Sequence, residues 1–226
     1  MINVPFSVWM ERPSALTHGI IERSFSHIER LTDVRIPRNY VNSEDSLLKS
    51  AYSPSRKQTD VSTLWQNLQK SFWDGRTYQL GVLETDMYGP GTNFVYAATI
   101  KKVWPNGMLV SDKFATGSIF SVYRLKNYYD ANWQEPFLLT LIHEEGHFFG
   151  LPTSSNLDYI KENDPRANSG LDFGHCDNRL CSMEQIDIPN RLSAMNKAKY
   201  IFQKNPSLFC NTDLEALKNN ARKLFE

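Results

Sequence analysis

Cysteine is scarce in this chain, and the three cysteines do not suggest a disulfide framework. Cys176, Cys181 and Cys210 are an odd number, and all of them lie in the last quarter of the 226-residue sequence. Thiols in such a set are typically free or bound to metal in a reducing compartment. We therefore expect a cytoplasmic location.

Long apolar runs and an excess of either charge are also lacking. No stretch approaches the ~20 apolar residues that a membrane-spanning helix needs. The first six residues lack the basic segment and apolar core of a secretion signal. Basic and acidic residues number 25 each, so there is no electrostatic reason to expect a nucleic acid or an anionic membrane as a partner.

The most informative segment is residues 143–147, which have the sequence His-Glu-Glu-Gly-His. Histidines four residues apart project from one face of a helix, so His143 and His147 can bind one metal ion together. Glu144 then lies beside the open position of the metal, where a hydrolytic enzyme needs a general base. Glu145 points away from the metal, and we expect a structural role for it. The pattern predicts a zinc peptidase with Glu144 as the catalytic residue.

The flanking residues predict a helix over residues 136–149. Pro136 suits a first helical position, Gly150 suits the left-handed position just past the end, and Pro152 prevents continuation. A helix with this many apolar residues is largely buried, so its polar face should line a cleft. The apolar residues that recur at helical spacing are Leu138, Leu141, Ile142 and Phe149.

Hydropathy patterns also predict the other elements coarsely. Strands are expected at residues 78–83, 93–103 and 118–125, with a turn at residues 105–107. Helices are expected at residues 20–31, 58–73, 191–202 and 213–225.

A hydrolytic zinc site usually has three protein ligands and one open position. His175 is the only histidine after His147, and Glu162 follows His147 by fifteen residues. The residue types alone leave both candidates open as the third ligand.

The segment His175-Cys176, four residues, Cys181, one residue, Met183 resembles the motif of the archaemetzincins, a family of metzincin metallopeptidases. Residues 80–88, 93–96 and 121–125 are also similar, so the resemblance covers about residues 78–213. It favours His175 as the third zinc ligand and implies an apolar floor at Met183.

The resemblance implies an α/β fold of the zincin and metzincin kind. This fold has a twisted mixed sheet, an active-site helix and a smaller C-terminal subdomain. We expect residues 1–150 to form the first part and residues 151–226 the second. A peptide or protein substrate would lie along the edge strand of the sheet, which we expect at residues 118–125.

Two departures from the family pattern concern the metal sites. Thr153 stands where the family has its third histidine, and 22 extra residues precede His175. Asp213 stands where the family has the last of four cysteines that bind a structural zinc. The three remaining thiolates, with Asp213 or water, are expected ligands of a second zinc. The alternative is that the thiols are buried without metal and that Asp213 favours a helix N-terminus.

Two alternative functions remain open on the sequence. One is a zincin peptidase with Glu162 in place of His175. The other is a non-catalytic, zinc-stabilised binding module whose cleft is blocked by the insertion at residues 151–172. Glu144 argues against the module, because a purely structural zinc needs no general base.

Overall fold

The computed structural model describes residues 5–42, 45–71, 77–89, 97–100, 117–129, 132–151, 176, 178–184 and 191–225. The strands within these residues are β1 (Phe6–Met10), β2 (Arg38–Asn42), β3 (Tyr52–Ser53), β4 (Gln58–Asp60), β5 (Tyr78–Leu83), β6 (Met87–Tyr88), β7 (Ala97–Ile100) and β8 (Gly117–Ser121). The helices are α1 (Ala15–Thr32), α2 (Asp45–Ala51), α3 (Val61–Ser71), α4 (Tyr123–Tyr129), α5 (Gln134–Phe148), α6 (Arg191–Lys204) and α7 (Asn211–Phe225).

The main sheet is mixed, as the sequence predicts. Its five described strands have the order β2-β1-β5-β8-β7. The first four strands in this order run parallel to their neighbours, and β7 pairs antiparallel with β8. A small second sheet has the order β3-β4-β6.

The expectation that residues 118–125 form the edge strand is wrong. Strand β8 ends at Ser121 and lies between β5 and β7. Among the described residues, β7 is therefore the edge strand on this side of the sheet and β2 is the edge strand on the other. Helix α4 begins at Tyr123, whose N–H donates to the hydroxyl of Ser121. Buried Val122 and Leu125 are three residues apart. This spacing suits a helix, but a short apolar run cannot be assigned by its pattern alone.

Both faces of the central strands are covered, because successive strand residues point to opposite sides. This explains why all six residues of β5 are buried. One face packs against α1 and α5 through Phe6, Val8, Tyr78, Leu80 and Phe120. The other face packs against α3 through Trp9, Leu83 and Ile119, which contact the cluster of Leu64 and Trp65.

An aromatic cluster fixes α5 on the sheet. The ring of Phe148 lies 4.8 Å from that of Phe6 in β1 and 4.6 Å from that of Tyr78 in β5. Phe25 of α1 contacts Phe6 at 4.9 Å. Edge-to-face contacts of this kind add directional preference to area burial. They hold α1 and α5 side by side on one face.

Four helices differ in their first residue from the prediction. Helix α1 begins at Ala15, five residues before the predicted start. Helix α5 begins at Gln134, so Pro136 lies in the first turn, where its missing N–H also has no intrahelical partner. Helix α3 begins at Val61, because Gln58–Asp60 forms β4 and the Asp60 carboxylate accepts from the N–H groups of the first turn. Helix α7 begins at Asn211.

The larger hydrophobic core continues across residue 150. Phe149 and Leu151 belong to the same buried cluster as Ala198 of α6 and Leu217 of α7. The predicted division into residues 1–150 and 151–226 stays a prediction. No helix in the described part of the chain is long and apolar enough to cross a membrane.

The packing of Trp9 against Gly81 generates a stability prediction. The two residues are register partners in β1 and β5, and a Cβ atom at Gly81 would lie 2.0 Å from the Trp9 ring. We expect Gly81→Ala to lower the free energy of unfolding by about 1–3 kcal/mol through overpacking. Urea unfolding monitored by circular dichroism would measure this.

Gly19→Ala is the matched control. Gly19 lies within α1 with nothing within 4 Å of an added Cβ atom, so alanine should raise the free energy of unfolding by about 0.5–1 kcal/mol. Equal effects of the two substitutions would contradict the packing argument.

Candidate metal centre

His143 and His147 lie on the same side of α5 and approach each other closely. Their Nε2 atoms are 3.2 Å apart, and the rings are 5% and 4% exposed in the order named. The rings are nearly perpendicular, at 88°. At the Zn–N distance of roughly 2.0–2.1 Å, two nitrogens on one tetrahedral ion are roughly 3.3 Å apart. The pair therefore has the separation of two ligands of a single ion.

Backbone carbonyl groups fix the tautomer of both rings. Nδ1 of His143 donates to the carbonyl oxygen of Ser182 at 2.7 Å, and Nδ1 of His147 donates to that of Leu151 at 2.8 Å. A carbonyl can only accept, so in each neutral ring the proton is on Nδ1 and a lone pair is on Nε2. Two lone pairs then face each other. A single zinc ion can accept both lone pairs at this separation.

The end of α5 supplies the Leu151 carbonyl. Gly150 has a φ of 76°, the left-handed conformation predicted for it. The N–H of Gly150 donates to the carbonyl of His147 at 3.0 Å, and the N–H of Leu151 donates to that of Gly146 at 3.0 Å. These bonds form a Schellman motif. The turn brings the Leu151 carbonyl back to the His147 ring, so the helix stop also orients a predicted metal ligand.

Met183 packs against the same helix turn. A Cβ atom at Gly146 would lie 2.3 Å from Sδ of Met183, and Met183 is fully buried. Glycine at the centre of the motif therefore allows this close approach. The apolar floor at Met183 beneath a bound metal stays a prediction.

The two glutamates of the motif have different surroundings. Glu144 is 8% exposed and Glu145 is 1% exposed. Oε1 of Glu145 lies 2.7 Å from the hydroxyl of Ser24 in α1. Burial raises the pKa of Glu145 to about 8, and the bond to Ser24 and the charge of Arg38 oppose this only in part. Glu145 thus faces α1 and points away from the histidine pair, as helix geometry predicts.

Cys176, Cys181, Cys210 and Asp213 converge at a second place. Their ligand atoms all lie within 4.8 Å of one another. Two sulfurs, those of Cys176 and Cys210, are 3.9 Å apart, and Oδ2 of Asp213 lies 3.3 Å from the sulfur of Cys181 and 3.4 Å from that of Cys210. On a tetrahedral zinc ion, S–S and S–O separations are roughly 3.8 and 3.5 Å. The four groups therefore fit one zinc ion.

The protonation of these thiols opposes metal binding. Burial raises the pKa of Cys176 to about 11, and it also raises the pKa of Cys181 well above the ordinary value. Zinc binds thiolates, so it must displace their protons. The affinity of the four-residue cluster should consequently fall as the pH is lowered.

A short loop connects the cluster to the histidine pair. The N–H of Cys176 donates to the carbonyl of Met183 at 2.8 Å, and the N–H of Ser182 donates to that of Leu208 at 2.6 Å. Ser182 follows Cys181 directly and its carbonyl accepts from His143. Cys181 of the cysteine cluster is thus covalently adjacent to the residue whose carbonyl orients His143.

The structure brings some of the predicted site residues together and does not describe others. The structure brings His143 and His147 together, and it also brings the three cysteines and Asp213 together. His175 and Glu162 lie outside the described residues, so the third ligand stays a prediction. Sequence analysis missed the carbonyls of Ser182 and Leu151, because main-chain acceptors carry no residue-type signal. Gly150 was the one available indication of the second.

Solved structures that are similar to this chain over most of its length include three zinc-peptidase or archaemetzincin structures. An archaemetzincin from Methanopyrus kandleri is 21% identical with a TM-score of 0.60, and 96% of each chain is covered. An archaemetzincin from Archaeoglobus fulgidus, complexed with malonate, is 18% identical with a TM-score of 0.58. A zinc-dependent peptidase from Methanocorpusculum labreanum is 17% identical with a TM-score of 0.55. For the last two, 94% of this chain and 99% of the other are covered.

These similarities confirm the predicted archaemetzincin-like α/β fold. At such low identity they show the fold and not the chemistry of the individual residues. No protein-family model and no curated protein matches the chain.

The cysteine cluster generates a prediction about thiol reactivity. Cys210 is the least buried of the three thiols, so metal binding should protect it more than burial does. In zinc-loaded protein we expect Cys210 to react slowly with a thiol reagent such as DTNB. After chelation it should react quickly, with release of one zinc per cluster. Parallel measurement of released zinc with a chromophoric chelator checks this.

Cys210→Ser is the matched control, since it should abolish the fast phase and lower the zinc content. Circular dichroism would verify that the chelated protein is still folded. Three thiols that stay protected in folded, zinc-free protein would show that burial alone shields them.

Proposed function

We propose that this chain, which has the fold of archaemetzincin structures, is a zinc-dependent peptidase. One observation carries the proposal: Nε2 atoms of two buried histidines are 3.2 Å apart, and both rings donate from Nδ1 to carbonyl oxygens. Histidines that bind metal typically donate their other N–H in this way. The structural neighbours, one of which is described as a zinc-dependent peptidase, support the same reaction class.

The zinc ligands in this proposal are His143, His147 and His175. The third is proposed from the His-Cys-Met spacing, because His175 immediately precedes Cys176. Cys176 belongs to the loop that reaches His143 through Ser182. Bound zinc would act as a Lewis acid that polarises the scissile carbonyl and acidifies water.

Glu144 is the proposed general base and acid. It adjoins His143 on α5 and is only 8% exposed, so its carboxylate acts where little water competes for the proton. It accepts a proton from the attacking water and delivers it to the leaving amine. The peptide bond is thereby replaced by a free carboxylate and a free amine.

The proposed substrate is a peptide or protein that lies along the outer edge of β7. An edge strand offers a row of N–H and C=O groups to which an extended peptide can bind. Strand β7 also packs against α5, which brings this edge near the metal-binding helix. Nucleic acid and membranes are not proposed as partners.

A second, structural zinc is proposed at Cys176, Cys181 and Cys210 with Asp213 as the fourth ligand. The separations of the sulfur and oxygen atoms support it. A reducing, cytoplasmic location agrees with three free thiols. The structural zinc and the cytoplasmic location are both proposals.

The main test concerns Glu144. We expect Glu144→Gln to retain zinc and to lose at least about 100-fold in peptide hydrolysis, because the side chain moves protons and binds no metal. Glu135→Gln, an exposed residue of the same helix, should keep full activity. Quenched fluorescent peptide libraries measure activity, and metal analysis measures zinc.

The outcomes separate the alternatives. A zinc-loaded protein that cleaves no peptide in the library, with or without Glu144, would favour the non-catalytic binding module. An active Glu144→Gln variant would refute the mechanism. A protein without zinc after purification from zinc-supplemented medium would refute the metal site itself.

The third ligand generates a separate prediction. We expect His175→Ala to weaken zinc binding at the histidine site by orders of magnitude, because two ligands hold zinc far less tightly than three. Glu162→Ala is the control and should keep near wild-type affinity. Competition with chelators of known affinity measures both. The reverse result would assign the chain to the zincins that use a glutamate as third ligand.

A further inference from the structure

We propose that the buried hydrogen bond between Ser24 and Glu145 positions the metal-binding helix by fixing the rotation of α5 about its axis. The inference rests on the proposed function, because it concerns the direction in which His143 and His147 present their lone pairs. Ser24 and Glu145 are positioning residues in this proposal. Neither contacts the metal or the substrate.

The bond lies inside the α1–α5 interface. Ser24 is fully buried and Glu145 is 1% exposed. The Ser24 hydroxyl lies 2.7 Å from Oε1 of Glu145 and 2.8 Å from the carbonyl oxygen of Ile21. A hydroxyl has one proton for these two oxygens. The hydroxyl is therefore held between Glu145 of α5 and the preceding turn of α1.

Glu145 is a poor choice for stability alone. Its second oxygen, Oε2, is buried and has no hydrogen-bond partner among the described residues. A half-satisfied buried polar group typically costs more than an apolar side chain of similar size. A methionine at this position would contact α1 without that cost. The presence of a carboxyl group therefore needs an explanation other than stability.

Geometry supplies the explanation. An α-helix turns about 100° per residue, so Glu145 lies about 180° from the midpoint between His143 and His147. The residues of α5 that contact the core around this position are apolar, among them Leu141, Ile142 and Phe148. Burial of Leu141 and Ile142 is not directional, whereas the edge-to-face contacts of Phe148 fix α5 against the sheet. The Ser24–Glu145 bond adds a directional contact opposite the metal site.

A small rotation of α5 would displace the metal-binding nitrogens by more than a functional site tolerates. Side-chain ends lie about 5–6 Å from a helix axis, so a rotation of about 10° moves the Nε2 atoms by about 1 Å. Functional sites need positions held to about 0.5 Å. The carbonyls of Ser182 and Leu151 hold each ring locally. They can do so only if α5 presents the rings to them at the correct angle.

The experiment compares stability with metal binding in four variants. Ser24→Ala/Glu145→Met removes both polar partners, Glu145→Gln keeps a hydrogen-bonding group of the same length, and Ser24→Ala removes one partner. Thr32→Val is the matched control, because the Thr32 hydroxyl donates within α1 to Ile28 at 2.9 Å and is equally buried. We would measure three quantities for each variant: the zinc affinity at the histidine site, the visible spectrum of the Co(II) form, and the urea unfolding of the zinc-free protein.

We expect the double variant to unfold at the same or higher urea concentration than wild type. Its zinc affinity should fall by about 10-fold or more, which is the typical loss when a group that orients a ligand is removed. Its Co(II) spectrum should shift. Glu145→Gln and Thr32→Val should stay within about threefold of wild-type zinc affinity, since neither removes the link between α1 and α5. Ser24→Ala, a milder change that serves if the double variant does not fold, should also lower the affinity.

Two outcomes would overturn the proposal. One is wild-type zinc affinity and an unchanged Co(II) spectrum in both the double variant and Ser24→Ala. The other is that the double variant and Thr32→Val both lose stability and zinc affinity, with the same ratio between the two losses. That result would show a general structural effect of removing a buried hydroxyl. A His143→Ala/His147→Ala variant separates this from failure of the proposed function. If it binds as much zinc as wild type, the histidine site itself does not exist.

Discussion

The Nε2 atoms of His143 and His147 lie 3.2 Å apart in a buried site, and this arrangement depends on hydrogen bonds that orient each ring through Nδ1. Much of the described structure contributes to placing the acceptors of these bonds. One ring is held by the carbonyl that ends α5 and the other by a carbonyl of the loop before α6. The helix itself is held on the sheet by the rings of Phe6 and Tyr78 around Phe148. The fold brings these separate supports together around one pair of side chains.

The second of these supports, the carbonyl of Ser182, depends on a strained turn. Ser182 donates to the carbonyl of Leu208, a non-glycine residue with a left-handed φ of 64°. Such a conformation persists only where surrounding contacts determine it. Asn205 provides two of these contacts, because its side-chain amide donates to the carbonyls of Leu180 and Phe209. The turn at residues 205–209 therefore places the acceptor that holds the peptide of Ser182.

Helix α5 carries more buried polar groups than stability alone would favour. His143, Glu144, Glu145 and His147 are all buried within one and a half turns. Buried titratable groups that are costly to the fold are typical of functional sites. Each of them has a place in the proposed function: two bind metal, one transfers protons, and one orients the helix.

Some features followed from short stretches of sequence, because local physics determines them. Strand β5 was predicted with its observed bounds, and α5 was predicted to within two residues at its start. The left-handed Gly150 followed from the requirements of a helix end, and the shared face of His143 and His147 followed from helix geometry. The archaemetzincin fold was expected from a motif near Cys176 and is confirmed by the similar solved structures.

Other features were decided by contacts between residues distant in sequence. Strand β8 is interior because antiparallel β7 covers its outer side, and an apolar run does not show which strand will lie beside it. Ser24 meets Glu145 across 121 residues, and the Ser182 carbonyl meets His143 across 39. The sequence by itself determined which side chains could bind a metal. Only the tertiary structure decided which groups orient them, since hydrogen-bond partners depend on how the chain folds back.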